Sequence, residues 1–164
     1  NSLNYSPLVV GGGAAMTWPS LKKDLGDKVN GITSVDSWCW DQKGARENSK
    51  WMEMNKHYED TYNEFIPGQA GPTLYSIMLA YSAVQNAKDT DPVKVRDELR
   101  KLNADNCEWF KVPNGYGDFD DTTGLNTDSK AVMMQWQDGK PTCVFPKEYA
   151  ASELLDPKTM KPFK

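Results

Sequence analysis

The chain of 164 residues has a single histidine, three cysteines, no C-x-x-C pair and no surplus of positive charge. Lys and Arg number 19 against 23 Asp and Glu, for a net charge of −4 and a pI near 5.0. That balance excludes the basic footprint of a general nucleic-acid binder, so no nucleic-acid partner is expected. Cys39, Cys107 and Cys143 are too few and too scattered for a disulfide scaffold; one pair plus a free thiol and three free thiols both fit, which leaves the compartment open. No stretch approaches the ~18 consecutive apolar residues of a membrane span. The longest hydrophobic run, residues 74–84, is broken by Tyr75, Ser76, Tyr81 and Ser82. The start, Asn1-Ser2-Leu3-Asn4-Tyr5, lacks an initiator Met, a basic segment and an apolar segment, so it reads neither as a translation start nor as a signal peptide, and further chain is expected upstream. What is present, 38% hydrophobic and 11% aromatic residues, suffices for a packed core.

The first element predicted is a strand at Ser6-Pro7-Leu8-Val9-Val10 running into a loop at Gly11-Gly12-Gly13. Pro19 at a first helical turn, Leu21 and Leu25 on one face and Gly26 past the end predict a helix over Pro19–Leu25. A short strand follows at residues 31–36, then a loop at 37–44 holding Trp38 and Trp40. From Asn48 the spacing of Trp51, Met54, Tyr58, Tyr62 and Phe65 predicts an amphipathic helix stopped by Pro67-Gly68. Leu74, Ile77, Met78, Tyr81 and Val84 repeat the pattern, and Ala80, Ala83 and Ala87 form a second close-packing face, so this helix is expected to be buried on more than one side. Asp91 as N-cap and Pro92 after it open another helix with Val95, Leu99 and Leu102 on its stripe. Asn114-Gly115 and Thr122-Thr123-Gly124 mark turns. Strand-like runs on either side of Asp138-Gly139 predict a hairpin. The order is an α/β unit, a helical excursion and a late hairpin.

Candidate chemistry is sparse. Glycines at 11–13 let backbone N–H groups approach a ligand, yet Met16 stands where G-x-G-x-x-G needs its last glycine and no G-K-[ST] follows, so the loop reads as a ligand loop or a plain turn rather than a phosphate cradle. His57, the sole histidine, and Cys39, between two tryptophans, are the only elements of a nucleophile and base, and no complete catalytic set accompanies them. Glu53 and His57 share a helix face without a third ligand. The run from Asp118 to Gly124 departs from a calcium loop, with glycine at the seventh place and Ser129 at the twelfth, and reads as a polar turn. No metal or cofactor is expected. Asp36 at a strand end, followed by Trp38 and Trp40, makes either a pocket edge of one charge and flat apolar surfaces or a set of core plugs.

The segments at residues 56–62, 74–84 and 91–99, then Gly117-Asp118-Phe119-Asp120, Gly124-Leu125-Asn126, Met134-Gln135-Trp136-Gln137-Asp138-Gly139-Lys140 and Val144-Phe145-Pro146, resemble in order and spacing the C-terminal portion of the branched-chain amino acid type of periplasmic substrate-binding protein, the partner of ABC importers. Residues 6–13 fit a strand and ligand loop of that family's second lobe. The resemblance implies an α/β chain of the type I periplasmic-binding-protein fold, containing most of lobe 2 and the returning helices of lobe 1. Residues 1–67 would belong to lobe 2, 69–126 would return to lobe 1, and the hairpin and tail at 129–164 would go back to lobe 2. Hinge crossings are implied near Gly68 to Gly71 and near Asn126.

It further implies a non-enzymatic, extracytoplasmic carrier, periplasmic or membrane-associated, whose partners are a small-molecule ligand, an ABC permease and the N-terminal half of the same protein. Gly12, Gly13, Ala14, Met16, Asn30, Asp36, Trp38 and Trp40 are the implied ligand-binding residues. Amino-acid-binding members place an acid before the strand-opening glycine to receive the ligand ammonium. Here Asn30 precedes Gly31, and a neutral amide cannot neutralise a buried cation, so an aromatic or carboxylate solute is expected over an ordinary branched-chain amino acid. The alternatives are a sensory ligand-binding domain of the same architecture and, in a different class, a small α/β hydrolytic enzyme using His57 or Cys39.

Overall fold

A computed structural model describes residues 13–103, 105–107, 109, 119–126 and 130–163. The predicted strand at 6–10, Gly11, Gly12 and the Asn114-Gly115 turn lie outside the described residues. A 3₁₀ turn at Ala14–Thr17 leads into α1, Pro19–Leu25, which begins on its proline and ends at Gly26 with φ +58°, as the sequence predicts. A second 3₁₀ turn, Gly26–Val29, precedes β1, Thr33–Asp36. The predicted strand starts two residues earlier than β1, at Gly31, whose N–H donates to the Trp136 carbonyl at 2.8 Å.

The expected loop at 37–44 is cut short by α2, Lys43–Glu47, a single turn without a side-chain cap and therefore without a local signal. Asn48 caps α3, Ser49–Tyr62, its side-chain oxygen accepting from Lys50 N at 3.1 Å and Trp51 N at 3.2 Å. This helix ends at Asn63, in the left-handed region with φ +54°, and not at Pro67-Gly68. Phe65, counted on its stripe in the sequence, leaves the helix and packs edge-on against Trp136 at 5.6 Å.

The long helix α4, Ala70–Ala87, is oriented differently from expectation. Its buried residues are Gly71, Tyr75, Leu79 and Ala83, while Ile77 and Tyr81 of the predicted apolar stripe are each 59% exposed. The reason is steric: Gly71 rests on the Trp38 indole so closely that a Cβ there would lie 2.8 Å from Cε2 and closer still to Cε3 and Cδ2. Only that glycine-led face can approach the core. α5, Pro92–Lys101, starts as predicted, with Asp91 Oδ1 accepting from Val93 N at 3.0 Å and Lys94 N at 3.1 Å, and lays Val95, Leu99 and Leu102 against the core.

β2, Val132–Gln137, and β3, Lys140–Phe145, form the predicted hairpin across Asp138 (φ +51°) and Gly139 (φ +78°), the two positive values that a tight two-residue hairpin turn requires. Among the described residues the sheet is antiparallel, β1-β2-β3, with Thr33 opposite Gln135 and Gln135 opposite Thr142. Among the described residues three buried clusters make the core. Trp38, Trp51, Tyr75, Leu79 and Leu102 anchor the largest; Cys39, Val132, Met134 and Cys143 pack under the sheet; Val29, Phe65 and Trp136 form the third. Half-buried Trp40 touches all three. The largest cluster includes residues from both sides of Gly68, so a continuous core crosses the boundary read at 67–69. None of the described helices is long and apolar enough to cross a membrane.

Candidate functional site

The carboxyl end of β1 brings three segments together. Asp36 Oδ1 accepts the Ser37 N–H at 2.7 Å, while Oδ2 is enclosed without a hydrogen-bond partner. Gly68 presses on this carboxylate: a Cβ there would lie 2.6 Å from Asp36 Oδ2 and 2.9 Å from Thr17 Oγ1. The end of the first turn, the end of β1 and the implied hinge thus converge, and the glycine is required by proximity. Gly13 opens the turn, its carbonyl accepting Met16 N at 3.0 Å. Ala14 begins the turn, and the Met16 carbonyl takes the Trp136 indole N–H at 2.7 Å, tying the turn to β2.

The remaining implied residues have structural duties. Asn30 Oδ1 accepts the Gly139 N–H at 2.9 Å and so holds the hairpin turn. Trp38 is 1% exposed and offers no open ring face; it is a core residue rather than a pocket edge. Trp40 donates its indole N–H to the Pro141 carbonyl at 2.8 Å, and its own carbonyl accepts from Asn55 Nδ2 at 3.2 Å. Its outer face carries Lys140 Nζ at 5.5 Å. The cavity beside it, about 280 Å³, contains Lys140 paired with Glu59 at 2.5 Å and Lys56 paired with Asp60 at 2.6 Å, so its charges already oppose one another. Gly71 lies in the first turn of α4 and packs on Trp38. Asn126 forms an isolated antiparallel bridge with Phe119. Beside it Asp120 Oδ1 accepts from Thr122 N and Thr123 N, the polar turn that was expected.

A larger, markedly apolar groove of about 490 Å³ opens where α4 begins, walled by Trp18, Tyr58, Ile66, Gln69, Leu74 and Ile77. Sequence reasoning missed Trp18, although an aromatic residue directly after a glycine-led turn was a usable signal, and treated Tyr58 and Leu74 only as core.

Cys39 and Cys143 lie buried beside Asp41. Cys39 Sγ donates to Asp41 Oδ1 at 3.1 Å, and the same oxygen accepts the Cys143 N–H at 3.0 Å. Burial pushes the Cys39 thiol well up, with the Asp41 carboxylate adding to the shift, and burial pushes Cys143 up to about 12. Both are poor nucleophiles. Burial also raises the Asp41 carboxyl itself, against the lowering effect of the Cys143 N–H and the Cys39 thiol. His57 is exposed on α3. Among the described residues no group of three His, Cys, Asp or Glu is placed to hold a metal ion.

These elements, in this order and with this antiparallel return of β2 onto β1, define a chain of the type I periplasmic-binding-protein fold. Two of the solved structures it resembles illustrate the likeness. One is the leucine-binding protein LivK of Thermotoga maritima MSB8, with a TM-score of 0.61, 17% identity, and coverage of 87% of this chain and 37% of that one. The other is named a branched-chain amino acid ABC transporter protein of Silicibacter pomeroyi, with a TM-score of 0.60, 18% identity, and coverage of 91% and 40%. The chain therefore spans about two fifths of the length of these solved proteins. No protein-family model matches it, and no curated relative does.

Proposed function

We propose that the chain belongs to the extracytoplasmic solute-binding component of an ABC importer and helps to hold a small organic ligand between two lobes, with no chemistry performed on it. The observation that carries this reading is the apolar groove at the start of α4, bounded by Trp18, Tyr58 and Leu74 and including Gln69 and Ala70 of the implied crossing near Gly68 to Gly71. Two structures of this fold are named for leucine and for branched-chain amino acids, which supports a solute of similar size. Residues 1–67 and 129–164 are assigned to lobe 2 and 69–126 to lobe 1, with Gly68 and the Asn126 region as crossings. A membrane permease and the N-terminal half of the same protein are the implied partners, and the periplasm, or an extracellular membrane-associated position, the implied location.

The groove favours a flat apolar body. Asn30, in the place where amino-acid binders carry an acid, is neutral and has its side-chain oxygen engaged by Gly139. A solute with an aromatic body fits these walls better than an aliphatic zwitterion. Thermal-shift and calorimetric screening of the longer protein should show aromatic acids stabilising it more than leucine does; a larger shift with leucine would reject this ligand class.

A further inference from the structure

The three cysteines do not share one environment. Cys39 and Cys143, 2% and 0% exposed, belong to the buried cluster under the sheet with Val132 and Met134. Cys107 belongs to the largest cluster instead, its sulfur 3.7 Å from Ser82 Oγ. One carboxylate oxygen joins the first two: Asp41 Oδ1 accepts from Cys39 Sγ at 3.1 Å and from the Cys143 N–H at 3.0 Å. Cys39 Sγ also lies 3.7 Å from the carbonyl oxygen of Pro141, two residues before Cys143 on β3, and the Trp40 indole reaches the same carbonyl. The segment 39–41 therefore runs alongside β3 and holds Cys39 against the stretch of strand that carries Cys143. The charge Cys143 would carry is also among the causes that raise the Cys39 thiol, an effect of near neighbours.

We propose that Cys39 and Cys143 are the two halves of a disulfide, present in the structure as the dithiol, and that Cys107 is the free thiol. The oxidant is a disulfide, either that of a thiol–disulfide oxidoreductase or a small one such as glutathione disulfide. One cysteine thiolate attacks the oxidant's S–S bond, which breaks and releases one thiol. The other thiolate attacks the protein sulfur of the mixed disulfide, forming the bond between Cys39 and Cys143 and releasing the second thiol. Two electrons pass to the oxidant, and the two cysteine protons end on the released thiols. Burial makes both sulfurs poor nucleophiles in the folded chain, so the exchange belongs to folding, before the cluster closes, and closure then shields the bond from reductants. Once made, the bond ties the segment of Trp38 and Trp40 to β3 and closes a loop of about 100 residues. The inference stands on this geometry and goes beyond solute binding; the proposed extracytoplasmic location is one where such oxidants act.

The test uses the 164-residue chain, refolded either in mixed reduced and oxidised glutathione or in dithiothreitol, then alkylated with iodoacetamide in denaturant and mapped by peptide mass spectrometry. The glutathione sample should contain one alkylated cysteine, Cys107, and a peptide pair joining Cys39 to Cys143. Its Tm should exceed that of the dithiothreitol sample by about 5 °C or more. Cys107→Ser should keep both the bond and the Tm difference, and Cys143→Ser should lose both. Three alkylated cysteines in the folded, glutathione-treated chain would overturn the proposal. So would a bond that includes Cys107, or an oxidised chain whose Tm is no higher than that of the reduced one. None of these results touches the solute-binding reading, which is tested by ligand screening alone.

Discussion

The two faces of α4 share a backbone and a similar apolar composition, but only one is engaged. On the inner face Gly71 lets the helix settle on Trp38, and Tyr75, Leu79 and Ala83 follow it into the largest cluster. On the outer face Ile77 and Tyr81 are more than half exposed. Hydrophobicity alone therefore does not choose the buried side. Close approach does, and the residue that decides it is the one with no side chain.

The contrast can be broken first from the inside. Trp51 is fully buried, 5.6 Å from the Trp38 ring and 5.9 Å from Trp109, so Trp51→Ala should destabilise the chain by about 3–5 kcal/mol in denaturant unfolding. Leu79→Ala, on the inner face itself, should cost about 2–5 kcal/mol by the same measurement. Gly71→Ala adds one methyl group against the Trp38 ring and should cost about 1–3 kcal/mol, with a change in tryptophan fluorescence. On the outer face, Ile77→Ala in the 164-residue chain should stay within about 0.5 kcal/mol of wild type. A cost for Ile77→Ala as large as that for Leu79→Ala would erase the distinction between the faces.

A smaller effect probes the sheet side of the molecule. The Asp41 carboxyl is raised from its ordinary value of 3.8, with burial as the largest cause. The folded chain then binds a proton more tightly than the unfolded chain does. The associated stability is present at low pH and is lost as pH rises from below 3.8 through the raised folded value. Asp41→Asn keeps an acceptor for the Cys143 N–H and should remove this component. Asp27, Asp89 and Asp120 are lowered by hydrogen bonds and titrate in the opposite sense, so the informative quantity is the difference between wild type and variant across the acid range. Identical pH slopes would remove Asp41 from this role.

Much of the fold was legible because its signals are local. Pro19 and Gly26 bracket α1, Asp91 and Pro92 start α5, and Asp138-Gly139 turns the hairpin, each within a few residues of what it controls. The facing of α4 was not legible, because both of its sides are apolar and no charge marks the outer one. The end of α3 was hidden in the same way: Phe65 continues the helical spacing but belongs to the cluster of Val29 and Trp136. The site was less readable still. Asn30, Trp38 and Trp40 looked like ligand contacts beside a strand, and their partners are Gly139, Gly71 and Pro141, distant in the chain and visible only once it is folded. The groove is assembled from Trp18, Tyr58 and Leu74, which stand on three different elements or connections, so no single stretch of sequence displays it.

The central claim is that close approach at Gly71 and Trp38, rather than hydrophobicity, decides which face of α4 is buried. Hydroxyl-radical footprinting of the two tyrosines of α4 tests it directly, with exposed Tyr62 on α3 as the internal reference. Tyr81 should be oxidised about as readily as Tyr62, and Tyr75 on the inner face at least tenfold more slowly. Equal reactivity of Tyr75 and Tyr81 would contradict the account.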